Sequence, residues 1–420
     1  GVTGFGGGCF WRNRPRVSRP RAYPERMIGS LGGYQTDYAR NWTKEGADVT
    51  AMTAEVVSGT LAAAGVDPED IGVIHVGNAF GQLFTGQGHL GAMPATVEPR
   101  LAGVPASRHE AACASGGIAL LAAMADLEAG RYDVALVLGV ELERSVSGGQ
   151  AADYMGAAAW VGRDAEGATY VWPWSFSTLA DEYDRRYGLD DAHLRAIGEL
   201  NLTNARSNPA AQTRNWSLTP ESFAADDVAN PLVEGRLRRH DCSQVTDGAA
   251  GVVLVSERAG RTPGSYIQGW GHRTVGLGLD AKLAQDDELV VPHVAATIRD
   301  AFVRAGISEV FEVDAIETHD CFTPSQYMAI DHFGITAPGR SWEAIESGLI
   351  ARDGRLPMNP SGGLIGVGHP VGATGVRMVL DAHRQVTGTA GDYQVDGTAR
   401  VATLNIGGST ATTVSFVIGV

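Results

Sequence analysis

Apolar positions along the chain fall into short blocks of two periods, and the order of those blocks predicts the architecture. Residues 48–64 set small and apolar side chains at helical spacing and stop at Gly65, which predicts a helix with a glycine cap. Residues 66–77 follow as a capped turn and a strand apolar enough to be buried on both faces. The stretch 78–99 is glycine-rich with few periodic positions and reads as a loop. An Ala-rich helix is predicted over 115–128 and an apolar strand of the parallel-sheet kind over 132–140. A strand-like piece after Met27, closed by a turn at Gly32-Gly33-Tyr34, precedes them all. Helix, strand, loop, helix, strand is α/β alternation.

The same order returns in the second half. The segment 301–307 with 313–319 parallels 61–77, the helix at 376–385 parallels 115–128, and 401–408 parallels 134–140. An internal duplication is the economical explanation, with a site where equivalent loops of the two copies meet. The expected organisation is a first half over 27–260, a second half over 261–420, and an insertion at 145–239 that breaks the alternation. That insertion holds Trp160, Trp172, Trp174 and Trp216, an amphipathic piece at 190–204 and several arginines. Such a segment suits a cover over a ligand site, and an oligomer contact or a satellite core would use the same residues.

Composition narrows the function. Over 420 residues the net charge is −15, which argues against nucleic acid as the main partner. No apolar run approaches the roughly 20 residues that span a bilayer, so no membrane insertion is expected. Four cysteines, Cys9, Cys113, Cys242 and Cys321, lack disulfide density or metal-finger spacing, which points to a reducing cytoplasm. Residues 1–26 differ from the rest, with six arginines and no acid before Glu25; they are expected to be a disordered or non-native basic extension, with Met27 as the natural start. An organellar transit peptide is the less favoured reading.

Candidate chemistry centres on three places. Cys113 stands at the mouth of the 115–128 helix, whose free N–H groups and positive dipole end are expected to favour thiolate. His369 lies in a glycine-dense loop at 357–375, where an imidazole can act as the base that activates a thiol. His319, Asp320 and Cys321 stand together after a predicted strand. A zinc site from His319, Cys321 and His332 would lack a further ligand at suitable spacing, so no metal is expected. Cys242 reads as structural.

With these residues together, the chain resembles the thiolase superfamily from about residue 27 to 420. Cys113 within Ala-Cys-Ala-Ser, the Gly-His-Pro loop at 368–370 and the duplicated halves carry the resemblance. His319-Asp-Cys-Phe322 stands where most thiolases have Asn-Glu-Ala-Phe, and Asn405 stands where they have a second catalytic cysteine. Both departures resemble the sterol carrier protein 2 type and archaeal-type branch. The resemblance implies an αβαβα layered fold of two halves with an inserted loop domain. It implies an acyl-CoA C-acyltransferase that cleaves 3-ketoacyl-CoA or condenses acyl-CoAs through an acyl-Cys113 intermediate. His369 would activate Cys113, and Cys321 would be the acid/base in place of the missing cysteine. The oxyanion holes would comprise the N–H groups of Cys113 and Gly407, and His319 with His369. Coenzyme A would enter as the substrate's carrier under the insertion, with no further cofactor; Arg185, Arg186, Arg195, Arg206 and Arg214 are available to meet its phosphates. The resemblance also implies a homodimer, and in some members a small zinc-bearing OB-fold partner. Three other readings remain: a ketoacyl synthase-like condensing enzyme, against which the Gly-His-Pro loop speaks; a thiolase-like retro-aldolase on a steroid CoA ester; and a non-catalytic lipid-CoA binder or scaffold.

Overall fold

The computed structural model describes residues 27–420; the basic extension expected at 1–26 lies outside the described residues. Nine strands form one mixed sheet: β1 (Ile28–Gln35), β2 (Val73–Gly77), β3 (Ala106–His109), β4 (Val134–Glu141), β7 (Gly248–Val255), β8 (Ser265–Thr274), β9 (Ala315–Thr318), β10 (Arg400–Gly407) and β11 (Thr412–Gly419). Between β4 and β7 the strands β5 (Leu232–Glu234) and β6 (Leu237–Arg238) make a separate hairpin. The order across the large sheet is β3-β2-β4-β7-β1-β8-β11-β10-β9.

That order is a palindrome of the duplication. β2, β4, β7 and β1 in the first half correspond to β9, β10, β11 and β8 in the second, and Met358 pairs in parallel with Ile316 much as β3 pairs with β2. The halves join through a short ladder, in which β1 and β8 pair only from Ile28–Ser30 to Ser265–Ile267. Only β3, β2 and β4, and likewise β9 and β10, run parallel to their neighbours; the remaining pairings are antiparallel. The fold is therefore α/β with a mixed sheet.

Helices fill the layers as their side chains dictate. Ser115–Glu128 and Thr374–Val386 pack on each other and against strands of both halves. Gly116, Gly117, Ala119 and Ala123 on the first of these are buried, and small residues let it fit closely between strands of the two halves. Val49–Ala64 covers β1, β7 and β4 from outside, and Pro292–Arg304 covers β8 and β11. The Asp48 side chain caps the first of these outer helices and Gly65, at φ 62°, ends it as expected.

Three expectations change. The predicted turn at Gly32–Gly33 is a bulge inside β1, where Gly32 takes φ 85° and a side chain on Gly33 would meet the Gly251 carbonyl. The loop after β2 contains short helices, and β3 follows it with a half-exposed pattern that periodicity did not disclose. The insertion forms the helices Gly148–Gly156 and Val171–Tyr187 in addition to Asp191–Ala205, which coincides with the amphipathic piece expected at 190–204.

Candidate active site

Cys113 sits in a sharp turn between β3 and the central helix. Ala112 before it takes φ 50°, and the Ser115 hydroxyl ties the turn by donating to the Ala112 carbonyl at 2.6 Å and accepting the Ala111 N–H at 2.9 Å. Gly407 packs so closely behind this turn that a Cβ there would lie 2.2 Å from the Ala111 carbonyl oxygen. The backbone N–H groups of Cys113 itself and of Gly408 favour the thiolate form of the sulfur.

The electrostatics of the thiol reverse the expectation. Burial above all pushes the Cys113 thiol up to about 12, against nearby N–H groups that favour thiolate. A helix end is worth roughly 1 kcal/mol, which desolvation readily exceeds. Cys113 is a thiol at neutral pH.

His369 and His319 meet the sulfur from the second half. One ring nitrogen of each lies, with the Cys113 sulfur, within 4.8 Å of the other two, and the rings stand edge to face with centroids 5.2 Å apart. Gly368 at φ 117° and a bond from the His369 N–H to the Thr246 hydroxyl at 2.9 Å fix the His369 loop. Burial, followed by the Arg377 charge, lowers His369 to about 3, and burial with His369 and Arg377 lowers His319 well below its ordinary value. Both rings are neutral.

Their proton positions follow from their partners. The Thr374 hydroxyl donates to the Pro370 carbonyl at 3.1 Å, so its oxygen accepts from His369 Nδ1–H at 2.6 Å and leaves His369 Nε2 with a lone pair. His319 Nδ1 instead accepts the Ile406 N–H at 3.3 Å and the Asn405 amide at 3.4 Å, which places its proton on Nε2. Neither Nε2 has a hydrogen-bond partner among the described residues. Two adjacent imidazoles thus offer the site one base and one donor. The same proton on His319 Nε2 opposes a metal at these three groups, since a ligating nitrogen must present a lone pair.

Cys113, Cys321 and His369 line one cavity of about 510 Å³. Its remaining walls include Phe80, Glu143, Met155, Trp172, Phe176, Arg239, Cys242, Gln244, Phe322 and Val371. Cys321 is buried, its thiol pushed well above its ordinary value by burial and then by the Cys113 sulfur, while the Phe322 N–H and Ser325 hydroxyl oppose the rise. Asp320, its neighbour, accepts the Leu364 N–H at 2.6 Å, the Ile365 N–H at 3.2 Å and the Asn201 amide at 2.7 Å, and so locks this loop to the one that carries His369.

Sequence reasoning missed several residues. The Asn405 amide holds the Cys113 carbonyl at 2.9 Å as well as His319, a role hidden while the position counted only as a missing cysteine. None of the five arginines proposed for a phosphate lines the cavity: Arg185 and Arg186 pair with Glu182, and Arg214 pairs with Asp37. Arg239 does line it and is exposed. Of the insertion's tryptophans, Trp172 forms cavity wall with its indole N–H donated to the Met155 carbonyl at 3.0 Å, whereas Trp160 is exposed. Cys242, read as structural, also lines the cavity, with its sulfur 3.3 Å from the Arg238 carbonyl oxygen.

Two family models match, the thiolase N-terminal domain over residues 34–184 and the thiolase C-terminal domain-like model over 279–420. The chain belongs to the thiolase family. The acetyl-CoA acetyltransferase of Methanothermobacter thermautotrophicus is 31% identical, over 92% of this chain and 98% of that protein. Sterol carrier protein 2 of Gallus gallus is 24% identical, over 92% of this chain and 71% of that one. Among solved structures, an Ltp2-ChsH2(DUF35) aldolase superposes with a TM-score of 0.77 at 21% identity, over 94% of this chain and 97% of that chain. The candidate site draws on both matched stretches, with Cys113 in the first and His319, Cys321 and His369 in the second.

Proposed function

We propose that this protein is an acyl-CoA C-acyltransferase that forms an acyl-Cys113 intermediate, cleaving 3-ketoacyl-CoA or condensing two acyl-CoAs. The observation that carries the reading is the convergence of a thiol with two neutral imidazoles of opposite proton placement. Cys113 attacks the thioester or 3-keto carbonyl carbon while its proton passes to His369 Nε2. The oxyanion takes the N–H groups of Cys113 and Gly407, donors each worth about 10² to 10³ in rate. Cys321 enters each cycle as a thiol and gives its proton to the departing CoA thiolate or enolate carbon. The Cys321 thiolate then removes the next proton, from an incoming CoA thiol or from the carbon beside an acyl-CoA carbonyl. His319 Nε2–H supports the enolate oxygen, and His369 joins it only once protonated.

The scheme treats coenzyme A thioesters as substrates and calls for no other cofactor. Arg239 at the cavity mouth is suited to the CoA phosphates. We further assign the protein to the cytoplasm as a homodimer with room for a small zinc-bearing OB-fold partner; the similar aldolase is an assembly with a DUF35 protein. No helix among the described residues is long and apolar enough to cross a membrane.

Intact-protein mass spectrometry after mixing with acetyl-CoA tests the reading. An acyl adduct maps to Cys113, is discharged by free CoA and is absent in Cys113→Ala. Cys321→Ala still acquires the adduct and loses condensation and thiolysis by at least about 10²-fold. Cleavage of a 3-ketoacyl-CoA without free CoA and without an adduct would replace this reading with the retro-aldolase one.

A further inference from the structure

One buried acid on the cavity wall has no task in the acyl-transfer scheme. Glu143 follows β4, is 1% exposed and lines the cavity with Cys113, His369 and Val371. Its Oε1 accepts the Val371 N–H at 2.8 Å and its Oε2 the Thr246 N–H at 3.4 Å. Among the described residues no cation pairs with it.

Its acidic neighbours are better supplied. Glu141 accepts the Asn78 amide at 3.0 Å and the N–H groups of Ala79, Phe80 and Gly372 at 2.8, 3.0 and 3.0 Å. Asp247 accepts the N–H groups of Trp42, Glu143 and Arg144 at 3.1, 2.8 and 2.7 Å. Close buried carboxyls do not all ionise, and the proton stays where fewest donors stabilise the anion. That group is Glu143, and burial with the Glu141 and Asp247 charges raises it well above the ordinary carboxyl range.

A neutral carboxyl donates as well as accepts. Oε1, with the short N–H bond, acts as the carbonyl oxygen, so the hydroxyl is at Oε2. Both partners of the carboxyl among the described residues are N–H donors, which leaves the O–H without an acceptor among them. The wall of the same cavity includes the apolar side chains of Phe80, Ala152, Met155 and Val371. An alkyl chain placed there would bury an unpaired donor, whereas a chain with an oxygen would pair it.

We propose that Glu143 is a specificity-determining residue, a hydrogen-bond donor in the acyl pocket that selects CoA thioesters whose chain carries a hydroxyl or carbonyl oxygen over plain alkyl chains of equal length. The inference rests on the acyl-transfer reading and deepens it. The test uses the full chain and measures the rate of Cys113 acylation by straight-chain acyl-CoAs and by the same chains hydroxylated at carbon 3, 4 or 5. At one of these positions the hydroxylated chain is preferred about tenfold or more, as for a site built to bond a substrate hydroxyl. Glu143→Met removes that preference. Glu143→Gln, which keeps an oxygen for the Val371 N–H and adds an amide donor, retains most of it. The preference is a ratio within one preparation, so partial misfolding of a variant cancels. Indifference of the wild type at all three positions, or an unchanged ratio in Glu143→Met, overturns the inference while Cys113 acylation leaves the acyl-transfer reading standing. Absence of acylation by every thioester in the wild type overturns both.

Discussion

Cys113 and His369 face each other as a thiol and a free imidazole, which has kinetic consequences distinct from those of a preformed thiolate–imidazolium pair. The thiol is pushed up to about 12 and His369 down to about 3, so neither titrates between pH 5 and pH 10. Below its pKa a thiol's ionised fraction rises tenfold per pH unit. Alkylation of Cys113 by iodoacetamide is therefore expected to climb about tenfold per unit from pH 6 to pH 9 without a plateau. A plateau near neutrality, read by mass spectrometry of the Cys113 peptide, would show an ion pair instead. Acyl transfer behaves differently, because His369 Nε2 is available as a base throughout that range. His369→Gln should lower the acylation rate by roughly 10² to 10⁴ while leaving the slope of alkylation with pH intact. Cys113, His369, His319 and Cys321, which the fold brings together, were legible in the sequence because each lies in a short motif. Glu143, Thr374 and Asn405 were not, since each acquires its role from a partner that only the fold brings near.

At the scale of elements, the hairpin from β10 to β11 and the turn at Cys113 form one unit. β10 delivers Asn405 to the Cys113 carbonyl and ends at Gly407, which is pressed against Ala111. Beyond it, Lys282 is buried and donates from Nζ to the Ser409 hydroxyl at 2.8 Å, which steadies the turn that presents the Gly408 N–H. Gly407→Ala would place a Cβ 2.2 Å from the Ala111 carbonyl oxygen and 3.1 Å from the Ala114 Cβ. Neither neighbour is a flexible side-chain end, so the Cys113 turn has to move. The expected cost is about 1–3 kcal/mol of stability together with a loss of Cys113 acylation larger than the fraction unfolded explains. Thermal melts beside single-turnover acylation would check both, and unchanged acylation would deny that the hairpin sets the geometry of the thiol. The elements themselves were readable wherever the period was sustained: the helix predicted over 115–128 coincides with Ser115–Glu128. Strand β3 was missed because its four residues are half exposed and lack alternation, and the bulge at Gly32–Gly33 was taken for a turn because glycine signals both.

For the whole molecule, the palindromic sheet order raises the question of whether each half is a folding unit. The two halves of the sheet pair over only three residues between β1 and β8, which alone would permit independence. The helix layer argues the opposite. Ser115–Glu128 has β2 and β4 on one side and Thr374–Val386 and β11 on the other, and its buried face includes Leu120, Met124 and Leu127. Residues of both helices share one apolar core with Ile28, Val252, Val401 and Phe416, drawn from both halves. A chain ending at 260 would leave that core open on the face that Val376, Val379 and Leu380 now cover. Burying such side chains is worth roughly 1.5–3 kcal/mol each, comparable in sum to the 5–15 kcal/mol by which a typical domain is stable. Urea unfolding of 27–420 should therefore be a single transition, coincident by far-ultraviolet circular dichroism and by fluorescence of single-tryptophan variants that retain Trp42 in the first half or Trp270 in the second. The fragment 27–260 alone should lack a cooperative melt. Two separated transitions, or a fragment that melts cooperatively, would mean that the catalytic junction forms by docking of two prefolded units, and acylation of Cys113 would then be lost before either half unfolds.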